Sequence, residues 1–135
     1  MSIGIGAFAY LVTEDENTVM YEYGNYNLND NRFRNEDYKC DGIITICRDC
    51  FQEPKIHKKM KKMPSGKRKL VIKRIVVDVD YLSMIQEERI MIENSKNCWS
   101  RCENGIDIMA MRLLSNLFKE FQIEGKIPKL ISLHV

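Results

Sequence analysis

The sequence predicts a single α+β domain, 1–135, with a mostly antiparallel sheet of about five to six strands. A long C-terminal amphipathic helix is expected to pack on one face of that sheet. The chain has 135 residues, 44% of them hydrophobic and 30% charged, which is an ordinary composition for one globular domain. Short apolar segments alternate with polar turns, and long helical crossovers do not alternate regularly with them, which favours α+β over a doubly wound fold.

The N-terminal half predicts three strands. Apolar runs or alternating patterns typical of strands occur in three segments: 3–12, 18–23 and 41–47. The acidic segment 13–17 predicts a hairpin turn between the first two, and 24–39, rich in Asn, Asp and Arg, predicts a long exposed loop. Tyr21 and Tyr23 share one face of the second strand, which is the expected core face.

The middle of the chain is strongly basic. Residues 55–74 contain ten Lys/Arg and no Asp/Glu, whereas the rest of the chain has eleven basic and nineteen acidic residues, a net charge of −8. We expect a short helix over 53–63, because Ile56, Met60 and Met63 lie at i, i+4 and i+7 and leave the lysines in water. The following segment, 69–79, is apolar on both faces and predicts a central strand.

The C-terminal third predicts a helical turn at 80–87, a strand at 89–93 and the long helix. Asn104 is the expected N-cap, with Asp107 as its capping partner, and Gly125 is the expected C-terminal cap. The apolar stripe of this helix comprises Ile106, Met109, Ala110, Leu113, Leu114, Leu117, Phe118 and Phe121. Residues 130–135 are expected to return as an edge strand.

The cysteines form a CxxC and a CxxxC motif. Cys47 with Cys50, and Cys98 with Cys102, could supply four thiolates to zinc. Neither motif contains the small residues that turn a backbone around a metal, so unconnected thiols are the favoured interpretation. We therefore expect no metal and no cofactor. His57 is expected to pair with Glu53 on the surface of the short helix.

The sequence contains no catalytic motif, so we expect a binding protein rather than an enzyme. Neither a phosphate-binding loop nor a hydrolase or metalloprotease signature occurs. The apolar N-terminal run has no basic leader and is interpreted as a strand rather than a signal peptide. With no apolar run near 18 residues, these features predict a cytoplasmic protein that is not embedded in a membrane.

The chain contains the stretches V19MYEYGNYN27, N104GIDIMAMRLL114 and E124GKIPKLIS132. These three stretches give it a general resemblance to immunity proteins of bacterial toxin–immunity systems. The resemblance implies an inhibitor that neutralises a cognate protein toxin by forming a tight complex. Since toxins are often nucleases with basic active sites, the interface is expected on acidic and tyrosine-bearing surface. The candidate partner-binding residues are Glu14, Asp15, Glu16, Glu22, Tyr26, Asp30, Glu36 and Asp37.

The alternative is a small nucleic-acid-binding or regulatory module that uses the basic segment. Its candidate contacts are Lys58, Lys59, Lys61, Lys62, Lys67, Arg68 and Lys69. The segment contains no aromatic residue for base stacking and matches no familiar DNA- or RNA-binding signature. We therefore prefer solvated lysines to a nucleic-acid contact, and a protein partner to nucleic acid.

Overall fold

Five of the seven strands form one antiparallel sheet in the computed structural model, which describes residues 3–134. The strands are β1 (Ile5–Glu14), β2 (Thr18–Asn27), β3 (Gly42–Cys47), β4 (Lys55–Lys62), β5 (Arg68–Ile75), β6 (Ile90–Glu93) and β7 (Leu130–His134). Two α-helices, α1 (Tyr81–Gln86) and α2 (Ile108–Glu124), complete the fold. The main sheet has the order β6-β3-β2-β1-β7, and β4 pairs with β5 in a separate two-stranded sheet. The predicted α+β class is confirmed.

The core lies between α2 and one face of the main sheet. Cross-strand neighbours on that face include Ala9 opposite Tyr23 and Tyr21 opposite Ile44, and all of these side chains are buried. The apolar stripe of α2 supplies the other half of the core: Met109, Ala110, Leu113, Leu114, Leu117 and Phe118. The predicted helix on the sheet and the predicted inward face of Tyr21 and Tyr23 are therefore confirmed.

A glycine makes room for the largest side chain on the inner face. Gly42 of β3 lies directly opposite Tyr23 of β2, and a Cβ added at Gly42 would lie 2.1 Å from Tyr23 Cε1. The ring therefore lies across the backbone of the neighbouring strand. This position lets the Tyr23 hydroxyl donate a hydrogen bond of 2.9 Å to Asp107 Oδ2, beyond the end of the sheet.

The long helix begins later than its sequence predicts. Its N-cap is Asp107, whose side chain accepts a hydrogen bond of 2.9 Å from the Met109 amide, so Asn104 and Ile106 precede the helix. Asn104 instead accepts a hydrogen bond from the Ile106 amide within the preceding turn. The C-terminal end is as predicted, because Gly125 has a φ of 75° and its amide donates to the Phe121 carbonyl.

The predictions for the basic region are wrong in two respects. Segment 53–63 is not a helix, since 55–62 is strand β4, and His57 therefore does not pair with Glu53 across a helical turn. Segment 69–79 is not a central strand, since β5 ends at Ile75 and pairs with β4 alone. The inner strands β3, β2 and β1 of the main sheet each already have a hydrogen-bonded neighbour on both sides, so β5 has no inner position in that sheet.

The remaining elements agree with their predictions within a few residues. The first hairpin, β3, the helical turn α1, β6 and the edge strand β7 all form, although β2 extends four residues further, to Asn27. Val135, the last residue of the predicted edge strand, lies outside the described residues. Neither of the two α-helices in residues 3–134 is long and apolar enough to cross a bilayer.

Candidate partner-binding arm

Strands β4 and β5 form a hairpin, residues 55–75, that we call the arm. All sixteen residues of its two strands are exposed, although they include six large aliphatic or Met side chains. An isolated two-stranded hairpin is at best marginally stable in water, because neither of its faces is covered. An arm that buries none of its apolar residues in its own chain is therefore a candidate for binding something else.

The turn of the arm is encoded by Met63-Pro64-Ser65-Gly66. The Gly66 amide donates to the Met63 carbonyl at 2.9 Å, and the Met63 amide donates to the Lys67 carbonyl at 2.7 Å. Gly66 has a φ of 85°, the left-handed conformation that follows a type I turn in three-residue hairpin loops. Pro64 supplies the preset φ of the first turn position. The segment therefore forms the hairpin turn between β4 and β5.

Cross-strand pairing gives the arm two different faces. Directly opposed residues share a face, so the register Lys55↔Ile75 to Lys62↔Arg68 assigns every side chain. The apolar face comprises Ile56, Lys58, Met60, Lys62, Arg68, Leu70, Ile72 and Arg74. The basic face comprises Lys55, His57, Lys59, Lys61, Lys69, Val71, Lys73 and Ile75.

The apolar face contains a continuous hydrophobic stripe. Met60 lies opposite Leu70, and Ile72 and Ile56 continue the stripe toward the base of the arm. Their exposed fractions are 55%, 49%, 58% and 50% respectively. Lysine and arginine side chains flank the stripe and carry no acidic partner within the arm. A partner for this face would need a complementary apolar surface with an acidic rim.

The basic face contains five lysines and one histidine. Lys61 and Lys69 are directly opposed, so two positive charges face each other across the hairpin, and His57 lies opposite Lys73. Like charges in this position destabilise a strand pair. No acidic side chain of the arm relieves this repulsion, and a polyanion placed on the face would do so.

The base of the arm is fixed to α2 on the β4 side. The Phe51 ring, just before β4, packs against Phe118 and Phe121 with centroid distances of 5.3 Å and 5.0 Å. Pro54, the residue before β4, is buried. The chain therefore enters the arm from a packed position on the helix.

A second anchor holds the β5 side. Arg74 donates to the carbonyls of Gln122 and Ile123, at 3.3 Å and 3.2 Å, where a cation is favoured by the C-terminal end of α2. The buried Gln122 side chain accepts from the Val77 amide at 2.7 Å and donates to the Val77 carbonyl at 2.9 Å. The arm is thus an exposed element on a fixed base, which limits the entropy that binding would cost.

Most of the acidic candidate residues lie near the two ends of β2, about 30 Å apart for a strand of this length, and Glu22 lies within the strand. At the β1–β2 turn, Glu14 forms an ion pair with Arg48 at 3.2 Å, and Asp15 accepts the amides of Asn17 and Thr18. The Thr18 amide is the main cause of a lowered pKa at Asp15. Asp15 therefore shapes its own turn.

At the other end, most candidates also have partners in the chain. Asp30 caps a 3-10 turn and pairs with Arg32 at 2.9 Å, an interaction that lowers the pKa of its carboxyl. Glu36 pairs with Arg34 at 2.8 Å, and the Tyr26 hydroxyl lies 2.8 Å from His134 Nδ1. Side chains that already form these contacts are less available to bind a partner.

Three of the acidic candidates are exposed and form no ion pair with the described part of the chain: Glu16, Glu22 and Asp37. Glu22 lies directly opposite Tyr10 on the outer face of the main sheet. The outer face also carries Phe8, whose ring contacts those of Tyr10 and Tyr38. This tyrosine-bearing face is a second possible protein-binding surface. It presents fewer unpaired acidic side chains than the eight predicted residues suggest.

The cysteine pairs do not form a metal site. Among residues 3–134, no group of three or more His, Cys, Asp or Glu side chains is placed to hold a metal ion. Burial raises the pKa of Cys50 to about 11, so its thiol is protonated at neutral pH. Cys50 packs in the core, and burial also raises the pKa of Cys98.

A buried polar network, which sequence reasoning missed, holds the end of the sheet. Asp107 accepts hydrogen bonds from the Tyr23 hydroxyl, the Asn25 amide and the Met109 backbone, and burial raises its pKa. The Tyr23 hydroxyl also accepts from the Ser95 amide at 2.9 Å. The network is closed off from solvent and links the N-terminus of α2 to β2, so we assign it a structural role.

No family model, no curated protein and no solved structure matches the chain.

Proposed function

We propose that this chain is a cytoplasmic binding protein that acts by forming a complex with a protein partner and performs no catalysis of its own. The observation that supports the proposal is the exposed hydrophobic stripe of the arm, formed by Ile56, Met60, Leu70 and Ile72 on a ribbon fixed to α2. Interfaces typically combine an apolar centre with a polar, charged rim, and the apolar face has this arrangement.

Covering the stripe would supply part of the binding free energy of a complex. Full burial of one large aliphatic side chain contributes about 1.5–3 kcal/mol. Each stripe residue is still about half exposed, so covering it would contribute roughly 1 kcal/mol, and the four together roughly 4 kcal/mol before entropic costs. Two copies of the chain do not pair arm to arm through this face, because the ten basic residues of each arm would repel one another.

The specific form of the proposal is neutralisation of a cognate bacterial toxin, as the resemblance to immunity proteins implies. The apolar face would meet an apolar toxin surface with an acidic rim. The outer face of the main sheet, with Glu22 and Asp37 nearby, is the competing contact surface and suits a basic toxin instead. The two surfaces lead to opposite mutational results.

The test begins with the partner that tagged protein retains in the source cell, identified by mass spectrometry and then purified. Met60→Gln with Leu70→Gln should weaken its affinity by about 2 kcal/mol, or roughly 30-fold. The matched control, Val71→Gln with Ile75→Gln, makes the same chemical change on the basic face and should have a much smaller effect. Calorimetric titration measures all three proteins.

Co-production in a host cell tests neutralisation. The partner alone should arrest growth, the wild-type chain should relieve the arrest, and the Met60→Gln, Leu70→Gln variant should relieve it less. If that variant binds normally while Glu22→Gln with Asp37→Asn loses binding, the outer sheet face is the interface and the arm is not. If the purified partner has no effect on growth, neutralisation of a toxin is wrong.

A further inference from the structure

We propose that the basic face of the arm is a second binding site, for double-stranded nucleic acid lying along the ribbon. The site does not rest on the proposed protein partner, because that partner uses the opposite face. Its components are five lysines, Lys55, Lys59, Lys61, Lys69 and Lys73, presented with His57 on one side of an exposed hairpin.

The charge of this face matches a polyanion. Its lysines have no acidic neighbour within the arm, and the opposed pair Lys61 and Lys69 repel each other. Phosphate groups on the face would remove this repulsion and release the counterions condensed on the nucleic acid. All acidic residues of the chain lie outside 55–74 and give the rest of the chain a net charge of −8, so the arm is the segment that most strongly attracts a phosphate backbone.

The dimensions match a duplex. Two-stranded β-ribbons fit the major groove of B-DNA, which is about 12 Å wide. Strands of eight residues span about 27 Å, and the same length of duplex axis carries about 16 phosphates. The five lysines therefore have phosphate partners on both sides of the groove, within reach of their flexible side chains.

The chemistry of the arm also selects duplex over single strands. Proteins that hold single strands stack bases on aromatic rings, and residues 55–75 contain no aromatic side chain other than the imidazole of His57. The exposed aromatic residues of the outer sheet face, Tyr10 and Tyr38, belong to a different part of the molecule. A ribbon without stacking groups gains its affinity from phosphates and the groove.

Fluorescence anisotropy with a 20-base-pair DNA duplex of arbitrary sequence, between 50 and 200 mM NaCl, tests the site. Five phosphate contacts predict a slope of about −4.5 in log K against log salt. Lys59→Gln, Lys61→Gln and Lys69→Gln together should reduce the slope by about 2.7 and weaken binding at 100 mM salt by roughly 100-fold or more. Circular dichroism confirms that each variant folds.

The matched control removes the same charge from the apolar face, by Lys58→Gln, Lys62→Gln and Arg68→Gln. It should retain most of the affinity and most of the slope. Equal losses in the two triple variants would overturn the assignment to the basic face, and no binding at 50 mM salt would overturn the site altogether. Either result leaves the proposed protein partner standing, because its own test uses Met60 and Leu70.

Two competitors test the class of ligand. A single strand of the same sequence should bind at least several-fold more weakly than the duplex. Poly-glutamate at equal charge concentration should displace the duplex poorly, because it offers no groove. If poly-glutamate competes as well as unlabelled duplex, the basic face recognises acidic protein, and the inference is wrong.

Discussion

Excising the arm should leave the fold standing. Lys55 and Ile75 are directly opposed, so residues 56–74 can be replaced by Asn-Gly, a two-residue hairpin turn. No arm side chain belongs to the hydrophobic core, so the excision leaves the core side chains in place. The main loss is the interaction of Arg74 with the carbonyls at the end of α2, which contributes about 1 kcal/mol.

The expected cost is therefore about 1–2 kcal/mol in the free energy of unfolding, measured by urea denaturation with far-UV circular dichroism. Arg74→Gln alone should reproduce most of it and serves as the control. If β5 were instead a central strand, losing Leu70, Val71 and Ile72 would cost at least about 5 kcal/mol. An excised protein that loses this much stability would refute the assignment of the arm as a peripheral element.

Three further predictions concern the body of the protein. Because burial raises the pKa of Asp107 above 3.8, the folded state holds its proton more tightly, and the stability advantage of wild type over Asp107→Asn should decrease as pH rises above that value. Urea denaturation at a series of pH values measures this, and an advantage that grows with pH would contradict it. Gln122→Leu removes both hydrogen bonds to Val77 and should cost about 2–3 kcal/mol in the same assay; an unchanged stability would mean that the base of the arm is held in another way. Gly42→Ala places a methyl group against the Tyr23 ring and should cost roughly 1–3 kcal/mol, seen as a lower melting temperature; a neutral result would mean that the ring moves freely.

Where local pattern and burial agree, the sequence predicts the fold well. The stripe of α2 from Met109 to Phe118 forms one apolar face, and the neighbouring strands supply the sheet against which this face is buried. The alternation in β2 placed Tyr21 and Tyr23 on the core face for the same reason. The sequence pattern places Asp107 at the start of the helix, but its position as N-cap depends on Tyr23 and Asn25, which are distant in sequence.

The arm could not be predicted in the same way, because its secondary structure depends on pairing between distant segments. Ile56, Met60 and Met63 fit a helical stripe, yet β4 forms because a β-branched run around Val71 and Ile72 pairs with it. One local signal was available: Pro64 and Gly66 are spaced as in a type I turn with a left-handed third residue. A hairpin turn at this position predicts a strand on each side of it, which are β4 and β5.

The candidate partner-binding site differs from the acidic residues that the sequence predicts, for a related reason. Acidic side chains such as Asp15 and Asp30 look free in a sequence, but short polar side chains in turns often bond to nearby backbone amides. The lysines of the arm look like the wet side of a helix, and only the register of the hairpin sorts them into two faces. The number of surface charges can be counted from the sequence, whereas the partner of each charge is known only once the fold is known.

Photocrosslinking in the source cell tests the central claim, that the arm is the element that contacts a partner. A benzophenone amino acid is placed at Leu70 on the apolar face of the arm in one protein and at Glu22 on the outer face of the main sheet in another. We expect a defined protein adduct from Leu70 and none from Glu22. An adduct from Glu22 with none from Leu70 would contradict it and place the interface on the outer face of the main sheet.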